Sequence, residues 1–334
     1  MLTKRENLQE VLKGGNPDRY VNQFEYMYMV WFFDPEATEQ GGPMLGEGTT
    51  WKTDWGVTYS WPAGYPGGMP VHNPAELIVL KDILQWENIL KPNAPKTTYS
   101  DAAFTALSEM AAGCDRSEQY LTMMVFPGLF EFTHLVMGME GALLAIASEP
   151  DTLREMLFWY VDWEIANSKN IVDCIHPDCL LHHDDWGSQI STFMSPDSFR
   201  NIYLEPYKKL YGWYKDNGIE LIVHHSDSYA ATFVPMMIEM GIDIFQGAMT
   251  TNDVPALVQQ YGGQISFQGA LDNGRIDRAD WTPELVDREV RRAVKENGKL
   301  FFIPSLVAGG PGSTFPGVYE AVSEKIDQLS AEDF

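Results

Sequence analysis

Short apolar runs alternate with helical periodicity along the chain beyond residue 120. The runs are rich in β-branched and aromatic side chains, as expected for strands buried on both faces of a parallel sheet. The predicted strands cover residues 121–126, 179–183, 219–224, 242–247, 264–269 and 299–304. Helices are predicted between the first two strands to about residue 167, then at 195–215, 230–240, 254–261, 283–296 and from 315 onward. This alternation of strand and helix is typical of parallel α/β folds.

A glycine stands just before four of these strands, at Gly218, Gly241, Gly263 and Gly298. Each is predicted to end a helix in the left-handed conformation, which glycine adopts at little cost. Connections this short imply parallel strands with right-handed crossovers.

The region before residue 120 is less regular. A short amphipathic helix at the N terminus ends at Gly14 and Gly15, and residues 21–33 are the candidate first strand. The segment 34–95 is rich in Gly, Pro and Trp. Within it, residues 51–65 are predicted to form an ordered aromatic loop, because disordered chains are poor in Trp and Tyr. Such a loop can be the wall or lid of a pocket.

We therefore predict that residues 1–334 form one α/β domain, a TIM (β/α)8 barrel with an N-terminal helix and a long aromatic loop. Seven strands are predicted directly, and the eighth is expected between Glu76 and Ala103. A doubly wound open sheet is the alternative. The barrel is favoured because no GxGxxG follows the first strand and the chain has no Walker A sequence.

The charge balance limits the classes of partner. The chain has 47 acidic and 23 basic residues, a formal net charge of -24. Nucleic acids and anionic membrane surfaces are therefore not expected as partners, since binding them needs clustered Lys and Arg. The apolar run 129–147 contains Glu131, His134 and Glu140, so it is predicted to be a buried helix and not a membrane span. Three cysteines without a CxxC pair, and a start unlike a signal peptide, predict a reduced, cytoplasmic protein.

Ionisable side chains are concentrated at the ends of two predicted strands. Four of the seven histidines lie there, in the sequences His-His-Asp-Asp at 182–185 and His-His-Ser-Asp at 224–227. Because side chains alternate along a strand, the second histidine and the last aspartate of each sequence should share a face, and one set should point into the barrel mouth. Imidazoles beside carboxylates suit a metal site or a histidine base oriented by aspartate. Alternatively, these histidines only cap strands and bond the loop backbone.

In a barrel, the active site forms where strands end and the following loops begin. The candidate catalytic residues are His183, Asp185, His224, His225 and Asp227, with His224 and His225 as the candidate metal ligands. Polar, small or aromatic residues near the other strand ends, or in the aromatic loop, are the candidate substrate-binding residues, namely Glu25, Tyr28, Trp55, Gln246, Asp272, Gly310 and Ser313.

Two loops supply the last three of these candidates. In AGGPGSTFPG (308–317), backbone NH groups and the start of the last helix can hold an anionic group. The same residues equally suit an ordinary turn in which Ser313 or Thr314 caps the helix. Asp272 lies in LDNG, which is a candidate polar strand end but also a common turn sequence.

Taken together, several sequences resemble the uroporphyrinogen decarboxylase superfamily, which includes corrinoid-dependent methyltransferases. The resemblance runs through HDDWGSQ, MSPDSFRNIYLEPYKKL, HHSDS, GIDIFQG, QGALDNG and GGPGSTFPGVYEAV, and it covers most of the chain from residue 15 onward. It implies a TIM barrel with its site at the C-terminal mouth, assembled as a homodimer. These motifs are specific for the superfamily and not for one activity.

The decarboxylase branch carries an arginine motif near its first strand that holds the carboxylates of a tetrapyrrole. In this chain Arg19 precedes the predicted strand and no arginine follows it. An acidic mouth also suits a polycarboxylate poorly. The resemblance therefore favours the methyltransferase branch over true uroporphyrinogen decarboxylase.

In the methyltransferase branch, a His-x-Cys pair and a later Cys hold zinc, which activates a thiol acceptor. The matching positions are His224, Ser226 and Ser305, so both thiolates are absent. A non-thiol acceptor, such as a folate, or a methoxylated donor then fits better. If zinc binds, the resemblance leaves as ligands His224 or His225 with a carboxylate such as Asp185 or Asp227.

The leading hypothesis is an enzyme that moves a methyl group between a small-molecule substrate and a corrinoid carried by a separate protein. In it, His224 and His225 are ligands or proton donors, and Asp184, Asp185 and Asp227 orient them. Two alternatives stay open. One is a decarboxylase or other lyase acting on uroporphyrinogen or another carboxylated small molecule, and the other is a non-catalytic binding protein on the same barrel.

Overall fold

A computed structural model describes residues 1–32, 46–64 and 67–334 of the chain. Its strands, in chain order, are β1 Met27–Val30, β2 Thr50–Lys52, β3 Thr58–Ser60, β4 Met69–Pro70, β5 Tyr120–Val125, β6 Cys179–His183, β7 Leu221–His225, β8 Ile244–Ala248, β9 Ser266–Ala270 and β10 Phe302–Ser305. Seven of these form one curled parallel sheet in the order β1-β5-β6-β7-β8-β9-β10, a half-barrel. The prediction of a parallel α/β fold is confirmed.

Helices follow most strands of this sheet. They are α1 Lys4–Leu12, α2 Trp86–Ile89, α3 Asp101–Ala112, α4 Leu129–Ser148, α5 Pro150–Ile175, α6 Pro196–Phe199, α7 Glu205–Asp216, α8 Val234–Met240, α9 Val254–Tyr261, α10 Asn273–Ile276, α11 Pro283–Asn297 and α12 Val318–Asp333. A π-helical turn, Arg200–Leu204, joins α6 to α7. The glycines Gly218, Gly241, Gly263 and Gly298 all have positive φ angles, between 81° and 96°.

The sheet has two buried faces with separate cores. Alternate strand residues such as Leu181, Val223 and Ile303 pack on the concave face with Leu8 and Val11 of α1. Their neighbours on the strands, including Leu180, Ile222 and Phe245, pack on the convex face against the surrounding helices. Helix α1 also contacts Cys179 and Leu221 at the N-terminal ends of the strands, so it covers that end of the half-barrel and leaves the C-terminal end for the site.

The two edge strands, β1 and β10, do not pair with each other in the described residues. Instead, the buried Gln23 connects the two sides. Its carbonyl oxygen accepts a hydrogen bond from Nε2 of Gln268 (3.2 Å), and its Oε1 accepts one from the Leu306 amide (3.3 Å). The curled sheet is therefore held together at its open side by side-chain hydrogen bonds and not by a strand ladder.

The prediction of an eighth strand between Glu76 and Ala103 was wrong. In the structure this segment forms 3-10 turns, the short helix α2 and the start of α3. Pro92 and Pro95 remove backbone donors that a central strand would need. A complete eight-stranded barrel is therefore not confirmed, although the other predicted strands are present with ends shifted by one to three residues at most positions.

The first predicted strand and the aromatic loop differ from expectation in extent. Only residues 27–30 of the predicted strand 21–33 are a strand, and residue 33 lies outside the described residues. The loop predicted at 51–65 contributes β2 and β3 to a small antiparallel sheet with β4, while residue 65 lies outside the described part.

Helix α4 is the one helix among the described residues that is long and apolar enough to cross a membrane, judged by length and composition alone. Its backbone departs from helical geometry at Gly138, where φ is 72° and ψ is 159°. More than half of its apolar stretch is buried against the rest of the protein. These contacts are those of a core helix, as predicted.

Candidate functional site

The ends of β6 and β7 bring the second histidine of each pair together. His183 and His225 are paired residues in the ladder between these strands, and their rings stack with centroids 4.3 Å apart and 22° between planes. Two residues farther along, Asp185 and Asp227 lie beside them, and the Asp227 amide donates to Oδ1 of Asp185 (2.9 Å). These four residues, with Glu131 from α4, form what we call the mouth cluster.

Potential ligand atoms in the mouth cluster form two overlapping sets. Those of Glu131, His183 and Asp185 lie within 4.8 Å of one another, and so do those of Asp185, His225 and Asp227. Asp185 therefore stands between the two histidines and belongs to both sets.

Glu131 reaches His183 from the first turn of α4. Its Oε2 lies 3.0 Å from Nδ1 of His183, and both side chains are largely buried. Burial opposes the charged form of His183, but the hydrogen bond and charge of Glu131 outweigh it and raise the pKa of His183 to about 9. At neutral pH this pair is an ion pair inside the mouth.

The buried Asp184 holds the start of α4 in place. Its carboxylate accepts hydrogen bonds from the amides of Phe130 (2.9 Å) and Glu131 (2.7 Å), from Nε1 of Trp186 (2.8 Å) and from the hydroxyl of Tyr207. Amides at a helix start are favourable partners for a negative charge. Burial nevertheless raises the pKa of Asp184 to about 6, and the nearby Glu131 charge adds to this. These hydrogen bonds hold the first turn of α4 against the end of β6 and so fix the position of Glu131.

Gly128, directly before α4, permits this close approach. A Cβ atom at this position would lie 2.3 Å from Cβ of Asp184 and 2.8 Å from the carbonyl oxygen of His183. The Gly128 amide also donates to that carbonyl at 2.7 Å. Helix α4 can therefore start directly against the end of β6 because this residue has no side chain.

His225 has a different environment from its stacking partner. Its Nδ1 bonds to Oε1 of Gln246, whose Nε2 donates to the Val307 carbonyl (3.2 Å). Burial, together with the charge on His183, lowers the pKa of His225 to about 4. His225 is therefore neutral at pH 7. Because Nδ1 donates to an amide oxygen, Nε2 carries the lone pair.

The carboxylates of Asp185 and Asp227 lie side by side. Burial and the charge of the neighbouring Asp185 together raise the pKa of Asp227 to about 7, against the opposing effect of His183. Neither aspartate forms an ion pair with a lysine or arginine in the described residues. Their mutual repulsion is opposed by His183, by the hydrogen bond from the Asp227 amide to Asp185 and by protonation.

His182 and His224 point to the convex face of the sheet and do not belong to the mouth cluster. The Tyr211 hydroxyl lies between them, 3.1 Å from Nδ1 of His182 and 2.8 Å from Nδ1 of His224. His182 also contacts Glu164 (3.2 Å), and His224 stacks on Trp186 with centroids 4.0 Å apart. All are buried. His224, predicted as a catalytic and metal-binding residue, is thus part of the packing between sheet and helices.

The same alternation places Ser226 away from the mouth. Its hydroxyl bonds to that of Ser228 (2.7 Å) and is buried. The face that meets the mouth carries His225 and Asp227, one residue later than the His224 and Ser226 positions that the family resemblance implied. The histidine and the residue two positions after it still share a face, and that second residue, Asp227, has a carboxylate side chain.

Glu25 and Tyr28 lie away from the mouth cluster. Glu25 precedes β1, at the opposite end of the strand, where it accepts from the Asn22 amide (3.0 Å). Tyr28 points to the convex face near Gly113 at the end of α3. The predicted strand 21–33 began too early and included Glu25, whereas in the structure Glu25 lies before the strand.

Trp55 also packs away from the mouth cluster. Its ring contacts Phe132 (centroids 4.9 Å apart) and Trp163 (4.7 Å) on α4 and α5. It lines a separate groove of about 780 Å³ with Lys52 and Lys96. The small sheet still approaches the mouth through Tyr59, whose pKa is raised to about 12 by burial and by the charge of Glu131.

The remaining substrate-binding candidates are divided. Gln246 belongs to the site through His225. Asp272 forms an ion pair with Arg275 at the start of α10 (3.0 Å). Gly310 accepts from the Ser313 amide (2.9 Å) in a surface turn, and Ser313 is exposed. Asp272, Gly310 and Ser313 therefore lie in ordinary turns, which was the alternative interpretation of these two loops.

Glu131 is a site residue that the sequence interpretation missed, and His134 follows it three residues later on α4. Burial lowers the pKa of His134, with Glu131 acting in the opposite direction. Both were noted only as polar interruptions of the apolar run 129–147. An acidic residue in the first turn of an apolar helix, directly after a strand, was the available signal.

Cysteines do not contribute to the site. Cys179 is buried at the N-terminal end of β6, and burial raises the pKa of its thiol. Cys114 and Cys174 lie near α3 and α5, where Cys174 contacts Ser108 at 3.3 Å. A thiolate-bound zinc site of the kind that the resemblance implies therefore does not fit the mouth.

Comparison with known proteins bears on the fold. No protein-family model matches the chain, and no curated protein matches it. A methyltransferase from Methanosarcina mazei is similar over 98% of this chain and 99% of its own, with a TM-score of 0.66 and 12% identity. An endo-beta-N-acetylglucosaminidase from Cordyceps militaris matches 70% of this chain and 78% of its own, with a TM-score of 0.38 and 11% identity. A GH18 chitinase from Pseudoalteromonas aurantia matches 70% of this chain and 83% of its own, with a TM-score of 0.35 and 12% identity. Both are too distant to support an argument. The chain therefore has the fold of the Methanosarcina methyltransferase structure along nearly its whole length.

Proposed function

We propose that this chain is a methyltransferase that binds a small methyl acceptor or donor in the mouth of the half-barrel and exchanges the methyl group with a corrinoid on a partner protein. The mouth cluster is the observation that carries the proposal, because it gathers bases and acids at the C-terminal ends of the strands. The sequence resemblance and the fold shared with a methyltransferase supply the reaction class.

The reaction in the direction of the acceptor balances as follows. The corrinoid of the partner protein would supply the methyl group and keep its bonding electrons, and the acceptor X–H would form an X–CH3 bond and lose its proton. The released proton passes to a basic atom of the mouth cluster. Nε2 of His225 and the carboxylates of Asp185 and Asp227 are the groups placed to take it.

The acceptor in this proposal is not a thiol. Thiol acceptors are activated by soft, thiolate-bound zinc, and the mouth cluster has only imidazole and carboxylate groups. A pterin amine of the tetrahydrofolate type loses its proton to a base, which suits carboxylate and imidazole groups.

An assay with methylcobalamin as donor and tetrahydrofolate as acceptor tests the proposal, followed by the change in the corrinoid spectrum and by product mass. We expect turnover that falls by roughly 100-fold in Asp227→Asn and His225→Gln, the usual effect of removing a proton-transfer group. The matched control is His176→Asn, on the exposed left-handed residue after α5, where asparagine is tolerated. Equal rates in all four proteins, or methylation of a thiol but not of tetrahydrofolate, would contradict the proposal.

Decarboxylation of a carboxylated substrate has weaker support. The mouth cluster contains three carboxylates and no lysine or arginine to bind such a substrate. Turnover of uroporphyrinogen by the pure protein would reverse this ranking. Homodimer assembly and cytoplasmic location stay predictions from the sequence.

A further inference from the structure

We propose that the groove beside Trp55 is a second binding site, which takes a small molecule with a planar apolar body and an anionic group, such as an aromatic carboxylate or sulfonate. This Trp55 groove has a volume of about 780 Å³ and is formed by the small sheet and by residues 76–79 and 93–99. None of the mouth-cluster residues belongs to its lining in the described part of the chain. The proposal therefore does not depend on methyl transfer.

One wall of the Trp55 groove, residues 93–99, is held on α5 by side-chain hydrogen bonds. Nε1 of Trp163 donates to the Pro95 carbonyl (2.9 Å), and Nδ2 of Asn170 donates to the Thr97 carbonyl (2.8 Å). Both donors belong to a helix of 26 residues. This wall therefore has a defined position before any ligand binds.

A second wall, residues 76–79, is held on α4. Leu80 follows it directly, and its amide donates to the Val136 carbonyl (2.8 Å). That carbonyl is available because α4 departs from helical geometry at Gly138. Grooves of this size whose walls exist before binding are typical of small-molecule sites.

The indole of Trp55 supplies an apolar surface of the groove. Its ring packs against Phe132 and Trp163, yet the residue is only partly buried and belongs to the lining. No hydrogen bond in the described residues involves its Nε1. A planar molecule can therefore pack against the indole, and a polar group on that molecule can accept from its N–H.

Thr58 adds a hydroxyl without a partner. Lys52 and Thr58 are paired residues of β2 and β3, so their side chains share one face of the small sheet, and both residues line the groove. Thr58 is only 8% exposed, and its Oγ1 has no hydrogen-bond partner in the described residues. A buried hydroxyl in this state calls for a partner. A rotation about its Cα–Cβ bond directs it to a ligand in the groove.

Two lysines set the charge preference of the groove. The ammonium groups of Lys52 and Lys96 form no ion pair in the part of the chain that the structure describes. Asp54 and Glu76 also line the groove, so lysines and carboxylates are equal in number there, whereas the whole chain has 23 basic and 47 acidic residues. With the indole N–H and the threonine hydroxyl, unpartnered donors outnumber the carboxylates, which favours an anionic group on the ligand.

Fluorescence titration of the full chain with anilinonaphthalene sulfonate tests the proposal, with equilibrium dialysis for the stoichiometry. Phenylnaphthylamine, which lacks the sulfonate, is the matched neutral probe. We expect saturable binding of about one sulfonate probe per chain and weaker binding of the neutral probe. Affinity for the sulfonate probe should fall as NaCl is raised, because salt screens exposed charges.

Variants of the lining separate the contributions of charge and hydroxyl. The double variant Lys52→Gln, Lys96→Gln should weaken binding of the sulfonate probe by roughly 10-fold, since two charge contacts are lost, and leave the neutral probe unaffected. Thr58→Val should weaken binding by roughly fivefold. It should not lower the urea midpoint of unfolding, because it removes a buried hydroxyl that has no partner.

Two controls locate the probe. Lys295→Gln changes an exposed lysine of α11, and Asp227→Asn changes the mouth cluster. Both variants should bind the sulfonate probe like the unaltered chain. Circular dichroism checks the fold of each protein, and the exposed lysine variants carry the test if Thr58→Val unfolds.

The possible results decide the proposal without reference to the reaction. Binding that does not saturate, equal affinity for the two probes, or equal affinity of the unaltered chain and the double lysine variant would overturn it. A loss of probe affinity in Asp227→Asn would overturn it too, because the probe would then lie in the mouth. The titration contains no methyl donor, so its result and that of the methyl-transfer assay can fail separately.

Discussion

The rings of His183 and His225 stack with centroids 4.3 Å apart, but their pKa values are shifted in opposite directions. Burial disfavours the charged form of both, but Glu131 reverses the effect at His183 and raises its pKa to about 9. At His225, burial and the charge of His183 lower the pKa to about 4. Between these values the pair holds one proton, on His183, and keeps His225 neutral.

Nuclear magnetic resonance titration of the chelator-treated protein should resolve this asymmetry. We expect the His183 ring to titrate near pH 9 and the His225 ring near pH 4. In Glu131→Gln the carboxylate is lost, so the pKa of His183 should fall to or below its ordinary value of 6.5. His176→Asn serves to assign the exposed histidine signal. Titration of both rings near pH 6.5 in the unaltered protein would contradict the proposed environment.

The raised pKa of Asp227 predicts a stability that decreases with pH in the metal-free protein. Its pKa is about 7 in the folded chain against an ordinary 3.8, so folding favours the protonated form. The resulting stabilisation is complete below the unfolded value and is lost as the pH rises through 7. We expect the titration of Asp227 to contribute a decrease of about 2 kcal/mol to the free energy of unfolding between about pH 4 and about pH 7, measured by urea denaturation as the difference between the unaltered chain and Asp227→Asn.

The variant Asp227→Asn isolates this contribution, because asparagine does not titrate. Its stability should fall less than that of the unaltered chain over the same range. His183, with a raised pKa, contributes a separate loss only between its ordinary 6.5 and about 9. Parallel pH profiles for the two proteins below pH 6.5 would count against the assignment to Asp227.

Asp184→Ala should destabilise the protein by about 3 kcal/mol, because it leaves the buried donors of Phe130, Glu131, Trp186 and Tyr207 without their acceptor. The first turn of α4 would also lose its anchor, so the pKa of His183 should fall. Asp197→Ala, at an exposed position in α6, should change stability by at most about 0.5 kcal/mol. A His183 titration unchanged in Asp184→Ala would show that α4 is held by other contacts.

Tyr211→Phe tests the assignment of His182 and His224 to packing. It removes the hydroxyl that bonds to both rings, so we expect a loss of about 2 kcal/mol in stability. Methyl transfer should remain within about twofold, since His182 and His224 lie on the opposite face of the sheet from the mouth cluster. Tyr261→Phe, at the end of α9, is the matched control. A large loss of methyl transfer in Tyr211→Phe, without a matching loss in the control, would place His224 among the site residues.

The local pattern of the chain was enough to find the strands and the residues that share a face. The short apolar runs at Leu180-Leu181 and Ile222-Val223 have the character of buried strands, and the alternation that pairs His183 with Asp185 is a property of the strand backbone. The glycines at the helix ends could be read in the same way. These features depend on neighbours in sequence, so the sequence determined them.

Only the tertiary structure decided which of the two faces meets the mouth. Both faces of a parallel strand are buried, so hydrophobicity does not distinguish the concave face with His225 from the convex face with His224. The packing of the helices against the convex face makes that choice, and it places His224 and Ser226 away from the mouth.

The partners of the two histidines were also settled by the fold. Glu131 lies 52 positions before His183, and Gln246 lies 21 positions after His225. No local pattern links such residues, because the contacts form only when α4 starts against β6 and when β8 pairs beside β7. Gln23 likewise joins the two sides of the sheet through side-chain hydrogen bonds that no local periodicity predicts. The sequence thus determined the chemical groups at the strand ends, and the long-range packing determined how they act on one another.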